Sequence, residues 1–429
     1  MKQFFRSFVL AAAVFAPALL FAQPKKSTAE LLRENPDRAA AVHHSYEYVA
    51  SPDTPAPVGY TPFYVSHYGR HGSRRSIGSN ATAAYEYLTK AKEAGILTPL
   101  GEQCLADVEK VTAEHEGMVG ALTERGGREH RAIATRLYNR VPEVFAQRTE
   151  VDVQSSNITR CLISMANFTD ELDNLAPQIK YHFITGKKYI ELLSHDYKDG
   201  KAISRGSRQL HDSLLRATFN PDRLMNSLFR GTKKAIAEVI DKPYRFAEKL
   251  YHAGGIDQCV ETGTQILTKY FTPEELLAQY EAYNVHCYAS MANSEEYGRN
   301  VLWAPAQGLL QDFITRADAA MAPESNRAAD LRFGHDSGIL PLVGLMGIEG
   351  AGDCMPALAA NPRWQAFEQI PMASNLQLIF YRAEDKPVLV KFLYNEQEVR
   401  IPALRPVTGP YYRWSAVKAW FESRIAEYK

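Results

Sequence analysis

The chain has 429 residues, of which 45% are hydrophobic and 23% are charged, the balance of an ordinary soluble globular protein with room for a core and a sizeable inserted lobe. Its 49 basic and 49 acidic side chains give a formal net charge of zero, which argues against a surface that coats a polyanion. We therefore expect no nucleic-acid partner, and any affinity for a charged ligand must come from a local cluster.

The first residues indicate the compartment. Lys2 and Arg6 precede an apolar run over residues 8–21, and Ala22 offers a small residue at a cleavage point. The run is short for a bilayer span and contains Pro17, which disfavours a membrane anchor. We predict a signal peptide over residues 1–22, a mature chain without a membrane span, and export to the periplasm or the medium.

The next segments alternate between strand and helix signals. Residues 23–60 are polar and Pro-rich, which predicts an extended lead-in and not a folded unit. A β-rich run at residues 63–65 predicts a strand that ends before Gly69. Helices are predicted over 81–94 and 124–140. A strand is predicted over 149–156, followed by a helix over 160–172. This alternation predicts an α/β core with a largely parallel sheet flanked by helices.

The middle of the chain changes character before the α/β pattern returns. Residues 178–300 have helical spacing and few strand signals, which predicts an inserted, mostly helical domain, with the core in 23–177 and 301–429. The second part of the core contains a helix over 308–321, a strand from 329, an apolar helix over 339–348, a hairpin over 375–401 and a closing helix over 415–428.

Two polar segments follow predicted strands, where ligand sites of open α/β sheets gather. They are Arg70-His71-Gly72-Ser73-Arg74 and Gly334-His335-Asp336-Ser337, and Arg160 follows a third strand. Arginines bind phosphate oxygens in bidentate geometry, and a neighbouring positive charge favours the neutral, nucleophilic form of His71. Asp336 supplies an acid and then a base, and His335 a further donor to the phosphoryl group. Gly72 removes side-chain bulk where backbone approaches the ligand.

Each of these features alone has a simpler explanation. An Arg-His pair after a strand is more often a solvated loop, a His-Asp dipeptide is commonly structural, and Arg160 alone is most often a surface arginine. The segments point to phosphoryl chemistry jointly, because they meet at one sheet edge and supply complementary roles. No metal-ligand spacing, Walker A loop or dinucleotide motif is present in the sequence, so we expect neither a metal nor another cofactor.

The same segments resemble the histidine acid phosphatases, branch 2 of the histidine phosphatase superfamily. "GRHGSR" is similar to the family's RHGxRxP motif, "LTERGGREH" to its LTxxGxxQH helix start, "SSNITRCLIS" to its strand-to-helix segment and "GHDSGILPL" to its His-Asp motif. The resemblance implies a phosphohistidine on His71 and a proton donor at Asp336. It also implies a phosphate clamp of Arg70, Arg74, Arg160 and His335, with Arg75 and Ser73 as additional candidates.

The chain departs from the family pattern at two points, and these leave the identity of the substrate open. Ser76 stands where the first motif usually ends in proline, preceded by an extra cation, Arg75. The segment "HYGRHGSRR" is similar to the corresponding segment of bacterial relatives of multiple inositol polyphosphate phosphatase. Those relatives usually carry His-Ala-Glu in the last motif, whereas this chain has His-Asp. Phytate is a candidate substrate on this basis. Four cations of the middle segment are candidates for contacts with further phosphates, although a solvated basic face is the more frequent explanation for such residues: Lys187, Lys188, Arg205 and Arg208.

Two alternatives to a phosphatase remain open from the sequence. A phosphotransferase or mutase shares the phosphohistidine chemistry, and a catalytically silent protein that binds a phosphorylated ligand shares the clamp. Five cysteines in an exported chain leave at least one thiol unpaired, and Cys259 with Cys287 is a possible local bridge. The oligomeric state does not follow from the sequence.

Overall fold

The computed structural model describes residues 26–194, 200–261, 266–297 and 302–427. The predicted signal peptide at residues 1–22 lies outside the described residues. In the described ranges, no helix combines the length and the apolar character that a bilayer crossing needs.

Within these ranges, eight strands form one mixed sheet with the order β3-β2-β4-β1-β5-β6-β7, and β8 pairs with β6. Strands β1 to β4 pair in parallel, whereas β5 to β8 pair in antiparallel fashion. This confirms the predicted α/β fold and the predicted hairpin. The strands are β1 (Thr61–Arg70), β2 (Glu150–Ser155), β3 (Lys180–Thr185), β4 (Arg327–Gly334), β5 (Asn375–Arg382), β6 (Leu389–Tyr394), β7 (Gln397–Val399) and β8 (Tyr412–Arg413).

Helices cover both faces of the sheet and make up most of residues 187–291. They are α1 (Thr28–Glu34), α2 (Asn80–Glu93), α3 (Pro99–His115), α4 (Glu124–Arg140), α5 (Pro142–Gln147), α6 (Thr159–Leu175), α7 (Lys187–Leu193), α8 (Gly200–Thr218), α9 (Asp222–Leu228), α10 (Lys233–Val239), α11 (Pro243–Val260), α12 (Pro273–Met291), α13 (Gln307–Ala320), α14 (Asp336–Met346) and α15 (Trp414–Glu427). Short helical turns occupy Pro36–His43, Thr268–Tyr270, Ala304–Ala306, Ala357–Ala359, Ala360–Arg363 and Ala366–Gln369.

Both faces of the central strands β1 and β4 are buried, although their sequences include polar and charged residues. Val65 on β1 and Leu331 on β4 belong to one core, which α4 and α6 complete with residues such as Ile133 and Phe168. Tyr64 and Tyr68 on the opposite face of β1 belong to the second core, which continues into the helices of residues 187–291. A parallel strand with helices on both sides must bury both of its faces.

The structure differs from the sequence prediction at the N-terminal segment. Residues 28–43 are folded, because a capping box between Ser27 and Glu30 starts α1 and the turn at Pro36–His43 packs against α11 and buries residues 39–42. Its carbonyl at Val42 accepts a hydrogen bond of 2.8 Å from the Arg70 side chain. The predicted lead-in is therefore wrong for this part.

Two further elements were not predicted. Helix α3 begins at Pro99, after Thr98, whose side chain caps the Gly101 amide. Strand β3 pairs in parallel with β2 and so belongs to the central sheet, although residues 178–300 were predicted as a helical insert. The remaining placement of the domain boundaries stays a prediction.

The possible bridge between Cys259 and Cys287 is wrong, because both are free and buried thiols. They lie on different helices, α11 and α12, and the Cys259 thiol contacts the His43 carbonyl at 3.4 Å and the Ser45 hydroxyl at 3.7 Å. Cys104, Cys161 and Cys354 are free as well.

Candidate active site

The carboxyl ends of β1, β2 and β4 meet at one edge of the sheet. The register pairs Arg70 with Gly334 and Ser155 with Phe333. Just beyond the strands, the His71 amide donates to the Gly334 carbonyl at 2.9 Å, and the Ser156 amide donates to the Phe333 carbonyl at 3.1 Å. The three segments that carry the candidate residues are therefore neighbours, as their positions after strands predict.

His71 is 2% exposed, and its environment fixes its protonation. Its Nδ1 lies 3.0 Å from the Gly72 carbonyl oxygen, which only accepts, so Nδ1 carries the proton and Nε2 has a free lone pair. Burial lowers the pKa of His71 well below its usual value, and the charges of Arg70 and Arg74 lower it further. The imidazole is neutral and nucleophilic at Nε2 even in acid.

The loop after His71 lies directly against the first turn of α4. A Cβ on Gly72 would lie 2.5 Å from the Gly126 carbonyl oxygen, and a Cβ on Gly126 would lie 2.3 Å from the Ser73 carbonyl oxygen. Glycine is required at both positions by backbone contact. The predicted reason for Gly72, space for a ligand, is thus replaced by space for a helix.

Three buried or partly buried arginines surround the His71 ring. The Nε atoms of Arg70, Arg74 and Arg160 are buried and have no hydrogen-bond partner among the described residues. A phosphate oxygen is an acceptor of the kind that these donors lack. The three guanidinium charges and one Asp336 carboxylate leave a net charge of two positive units, which matches a phosphate dianion.

His335 faces His71 with ring centroids 5.6 Å apart. Its Nδ1 accepts a long hydrogen bond of 3.4 Å from Arg160, so its Nε2–H donates to the Ser156 hydroxyl at 3.0 Å. The Cys161 sulfur lies 3.5 Å from the same Nε2. Burial lowers the pKa of His335 to about 4, and the Arg160 charge contributes.

Asp336 begins α14, and its side chain is 29% exposed. One carboxylate oxygen accepts from Arg70 at 2.7 Å and the other from the Ser337 amide at 2.9 Å. Burial raises the pKa of Asp336, but the charges of Arg70 and Arg74 outweigh burial and bring the pKa to about 2. The carboxyl group is therefore ionised in the free protein.

Not every candidate residue points into this cluster. Arg75 donates to the Glu114 carbonyl on α3 at 2.8 Å, and the Ser73 hydroxyl donates to Glu129 at 2.7 Å. Neither side chain is placed to bind a phosphate between the three arginines. Lys187, Lys188 and Arg205 are exposed, and Arg208 forms an ion pair with Glu248.

Three residues near the cluster were not identified from the sequence. Ser156 follows β2 at the same sheet edge, so the rule that located Arg160 also indicates it. Glu129 on α4 accepts from the Ser73 amide at 2.7 Å and secures the loop after His71. His43 interacts electrostatically with Arg74 and Arg70, and its place in a segment predicted as extended concealed it.

The family comparison agrees with this geometry. The model of the family described as "Histidine phosphatase superfamily (branch 2)" matches residues 69–395. That range contains every candidate residue from Arg70 to Asp336. The search of curated proteins finds no match.

The solved structures that resemble the chain share its fold. A Bifidobacterium longum multiple inositol polyphosphate phosphatase in complex with inositol hexasulfate has a TM-score of 0.71 at 20% identity, over 91% of this chain and 98% of that chain. The phytase from D. castellii has a TM-score of 0.65 at 14% identity, over 91% of this chain and 86% of that chain. A Hafnia alvei phytase in complex with myo-inositol hexakis sulphate has a TM-score of 0.55 at 13% identity, over 86% of this chain and 98% of that chain.

Proposed function

Because the chain belongs to branch 2 of the histidine phosphatase superfamily and is a phosphatase, we propose that it is an exported acid phosphatase that hydrolyses phosphomonoesters through a phosphohistidine on His71. The observation that carries the proposal is the free Nε2 of a buried, neutral imidazole beside three arginines and one carboxylate. The export part rests on the sequence pattern of residues 1–22.

In the first step, His71 Nε2 attacks phosphorus, the N–P bond forms and the P–O bond to the alcohol breaks. Asp336 protonates the departing alcohol oxygen, so that an alcohol and not an alkoxide leaves. Arg70, Arg74 and Arg160 bind the equatorial oxygens and stabilise the charge of the transition state. Two easier displacements replace one difficult displacement.

In the second step, water attacks the phosphohistidine, the N–P bond breaks and inorganic phosphate leaves. Asp336, now ionised, accepts the proton of the attacking water. Asp336 is therefore protonated while the phosphate is bound, and it ionises again when the phosphate leaves. Its exposure of 29% is consistent with access for water from the side of the leaving group.

A proton must reach Asp336 before the first step, since its pKa of about 2 leaves it ionised in the free protein. A phosphomonoester monoanion carries that proton, because the second pKa of a phosphate ester is about 6. Binding of the phosphate also offsets the arginine charges and raises the pKa of Asp336. We therefore expect kcat/KM to be highest in acid and to fall above about pH 6, while His71 stays neutral throughout.

Inositol polyphosphates are the substrate class that the structural relatives support. The Bifidobacterium longum protein is a multiple inositol polyphosphate phosphatase, and the other two are phytases. We propose phytate or a related inositol phosphate as the substrate of this chain. A panel of phytate, glucose 1-phosphate and p-nitrophenyl phosphate tests this, and a lower kcat/KM for phytate than for the other two would count against it.

The acceptor of the phosphoryl group, either water or an added alcohol, distinguishes hydrolysis from phosphoryl transfer. With p-nitrophenyl phosphate and added glycerol, we expect inorganic phosphate to be the main product, because Asp336 is partly open to water. Preferential transfer to glycerol would support a phosphotransferase. Tight binding of inorganic phosphate without turnover would support a silent binding protein.

Activity is expected to survive prolonged incubation with EDTA. Three guanidinium groups supply the positive charge that binds and activates the phosphoryl group. The measurement is phosphate release from p-nitrophenyl phosphate before and after chelation, with a metal-dependent alkaline phosphatase as the positive control. Full loss of activity that added metal restores would overturn the expectation.

Ser156→Ala is expected to lower kcat by about tenfold with little change in KM, because its hydroxyl positions His335. The Ser156 hydroxyl accepts from Nε2–H of His335 and so stabilises the tautomer whose Nδ1 accepts from Arg160. The pH profile of kcat should change in Ser156→Ala and be restored in Ser156→Thr. An unchanged pH profile in Ser156→Ala would reduce Ser156 to a structural role.

A further inference from the structure

Strand β3 lies at one edge of the sheet, and its outer side is open. It pairs with β2, and no second strand pairs with it in the ranges that the structure describes. Its residues Lys180, His182 and Thr185 are exposed, and the large apolar side chain of Phe183 is 55% exposed. An open edge of N–H and C=O groups is a template for pairing with another chain.

The hydrogen bonds to β2 determine which backbone groups of β3 face outward. The Lys180 amide donates at 2.7 Å to the carbonyl of Thr149, the residue before β2. In a parallel pair, alternate residues direct their backbone groups to opposite sides of the strand, so Tyr181, Phe183 and Thr185 direct theirs away from β2. The outward N–H and C=O groups are therefore arranged symmetrically about Phe183.

On the α6 face of this edge, aromatic side chains border an apolar groove. The rings of Tyr181 and Phe183 stack with centroids 5.6 Å apart, and the Tyr181 hydroxyl donates to the Thr169 carbonyl on α6 at 3.2 Å. The two rings and α6 line a cavity of about 490 Å³, to which α6 contributes Met165, Ala166, Thr169, Asp170 and Asp173. Phe183 is thus both the centre of the outward backbone groups and the exposed end of an apolar surface.

We propose that β3 is the interface between two copies of this chain, whose β3 strands pair in antiparallel fashion across a two-fold axis at Phe183. In this register Phe183 lies opposite Phe183 of the second copy and Tyr181 lies opposite Thr185, so all the outward N–H and C=O groups form hydrogen bonds. The two eight-stranded sheets join into one continuous sheet. The inference does not depend on the proposed function, because none of these residues belongs to the proposed mechanism.

The aromatic side chains match in the same register. Both Phe183 rings lie on the α6 face, so they meet at the axis, each with its own Tyr181 beside it. Aromatic pairs across neighbouring strands stabilise a sheet through buried area and ring contacts. The second copy also covers the outer end of the groove, so the apolar surface of both copies is removed from water together.

The charges at the ends of β3 identify a second copy as the occupant. Lys187 and Lys188 are exposed at the start of α7. In the proposed register they come close to residues 178–179 of the second copy, which follow the C-terminal end of α6. That end carries the exposed Asp173 and the partial negative charge of the helix. The two-fold axis repeats this match at both ends of the paired strands, whereas an unrelated extended peptide fills the edge without it.

The test is the oligomeric state of the purified protein, measured by light scattering after gel filtration at about 50 µM. The wild type is expected to have the mass of two chains. Phe183→Lys places like charges opposite each other at the axis and should raise the dissociation constant of the dimer by about 100-fold or more. Val58→Lys adds the same charge at a side chain that is 94% exposed outside β3 and α6, and this matched control should stay dimeric.

Turnover of p-nitrophenyl phosphate shows that the variants are folded, and it should stay within about twofold of wild type in both. A monomeric wild type would overturn the interface. A Phe183→Lys variant that remains as dimeric as Val58→Lys would overturn it as well.

A disulfide tests the register without removing the interface. His182 lies opposite Ile184 of the second copy in a pair without hydrogen bonds, where Cα atoms are about 4.5 Å apart and a disulfide can form. The double variant His182→Cys/Ile184→Cys should therefore give a covalent dimer on mild oxidation, beyond the background of wild type. His182→Cys alone should not, because the axis places its two copies about 8 Å apart. Failure of the double variant to cross-link, or equal cross-linking of His182→Cys alone, would overturn the axis at Phe183.

Discussion

His71→Ala is expected to lower kcat by about 10⁴-fold or more, because it removes the atom to which phosphorus is transferred. The covalent intermediate also has a characteristic chemical stability, which identifies the phosphorylated residue type. With ³²P-labelled substrate and a rapid quench, the wild type should yield a phosphoramidate that survives base and breaks down in acid, and His71→Ala should yield none. The arginines remain in the variant, so it should still bind inorganic phosphate.

Retention of phosphate binding separates loss of the nucleophile from loss of the fold. We expect the dissociation constant of inorganic phosphate from the variant to lie within about tenfold of the inhibition constant of phosphate for the wild type. His182→Ala, whose imidazole is exposed on β3, should keep full activity and labelling. A labelled histidine in His71→Ala would assign the nucleophile to another residue.

The sequence predicted that the candidate residues meet at one edge of the sheet, because strand ends and polar motifs are local features. β1 and β4 are short, buried strands that end in arginine and glycine, and His71 and His335 follow them directly. Parallel pairing brings such ends to one edge, so the neighbourhood of the two histidines followed from the pattern alone. The resemblance to a known family then supplied the roles.

The orientation of side chains did not follow from the pattern, because it depends on contacts between distant segments. Arg75 and Ser73 are polar side chains of the same loop and were predicted as additional phosphate ligands, yet they bond to α3 and to Glu129. The turn at Pro36–His43 has a sequence typical of a linker and is ordered by α11 and by Arg70. Such tertiary contacts override local propensity.

A group of four packed histidines shows the same limit at a larger scale, namely His43, His211, His252 and His286. Its histidines come from the N-terminal turn, α8, α11 and α12, and no spacing along the chain relates them. Only the packing of α8 and the Pro36–His43 turn against α12 brings them together. A search for motifs examines neighbours in sequence and cannot find contacts of this kind.

Asp336→Asn is expected to lower kcat by about 10²- to 10⁴-fold for an alkyl phosphate such as glycerol phosphate, since an amide cannot protonate the leaving alkoxide. The loss should be much smaller for p-nitrophenyl phosphate, because p-nitrophenolate leaves without a proton. The amide oxygen still accepts a hydrogen bond from Arg70, whereas the hydrogen bond from the Ser337 amide is lost because the amide NH2 group cannot accept it. The measurement is kcat across a series of leaving groups with increasing alcohol pKa.

The slope of that series distinguishes an acid from a merely structural carboxylate. In the wild type, protonation by Asp336 makes the rate nearly independent of the alcohol pKa, whereas in Asp336→Asn the rate should fall steeply as the alcohol pKa rises. Ser337→Ala is the control. It alters the neighbouring side chain but keeps the hydrogen bond from the backbone amide of residue 337 to Asp336, so it should keep the shallow slope. Equal slowing of all substrates by Asp336→Asn would mean that the carboxylate only orients Arg70, because orientation affects every leaving group alike.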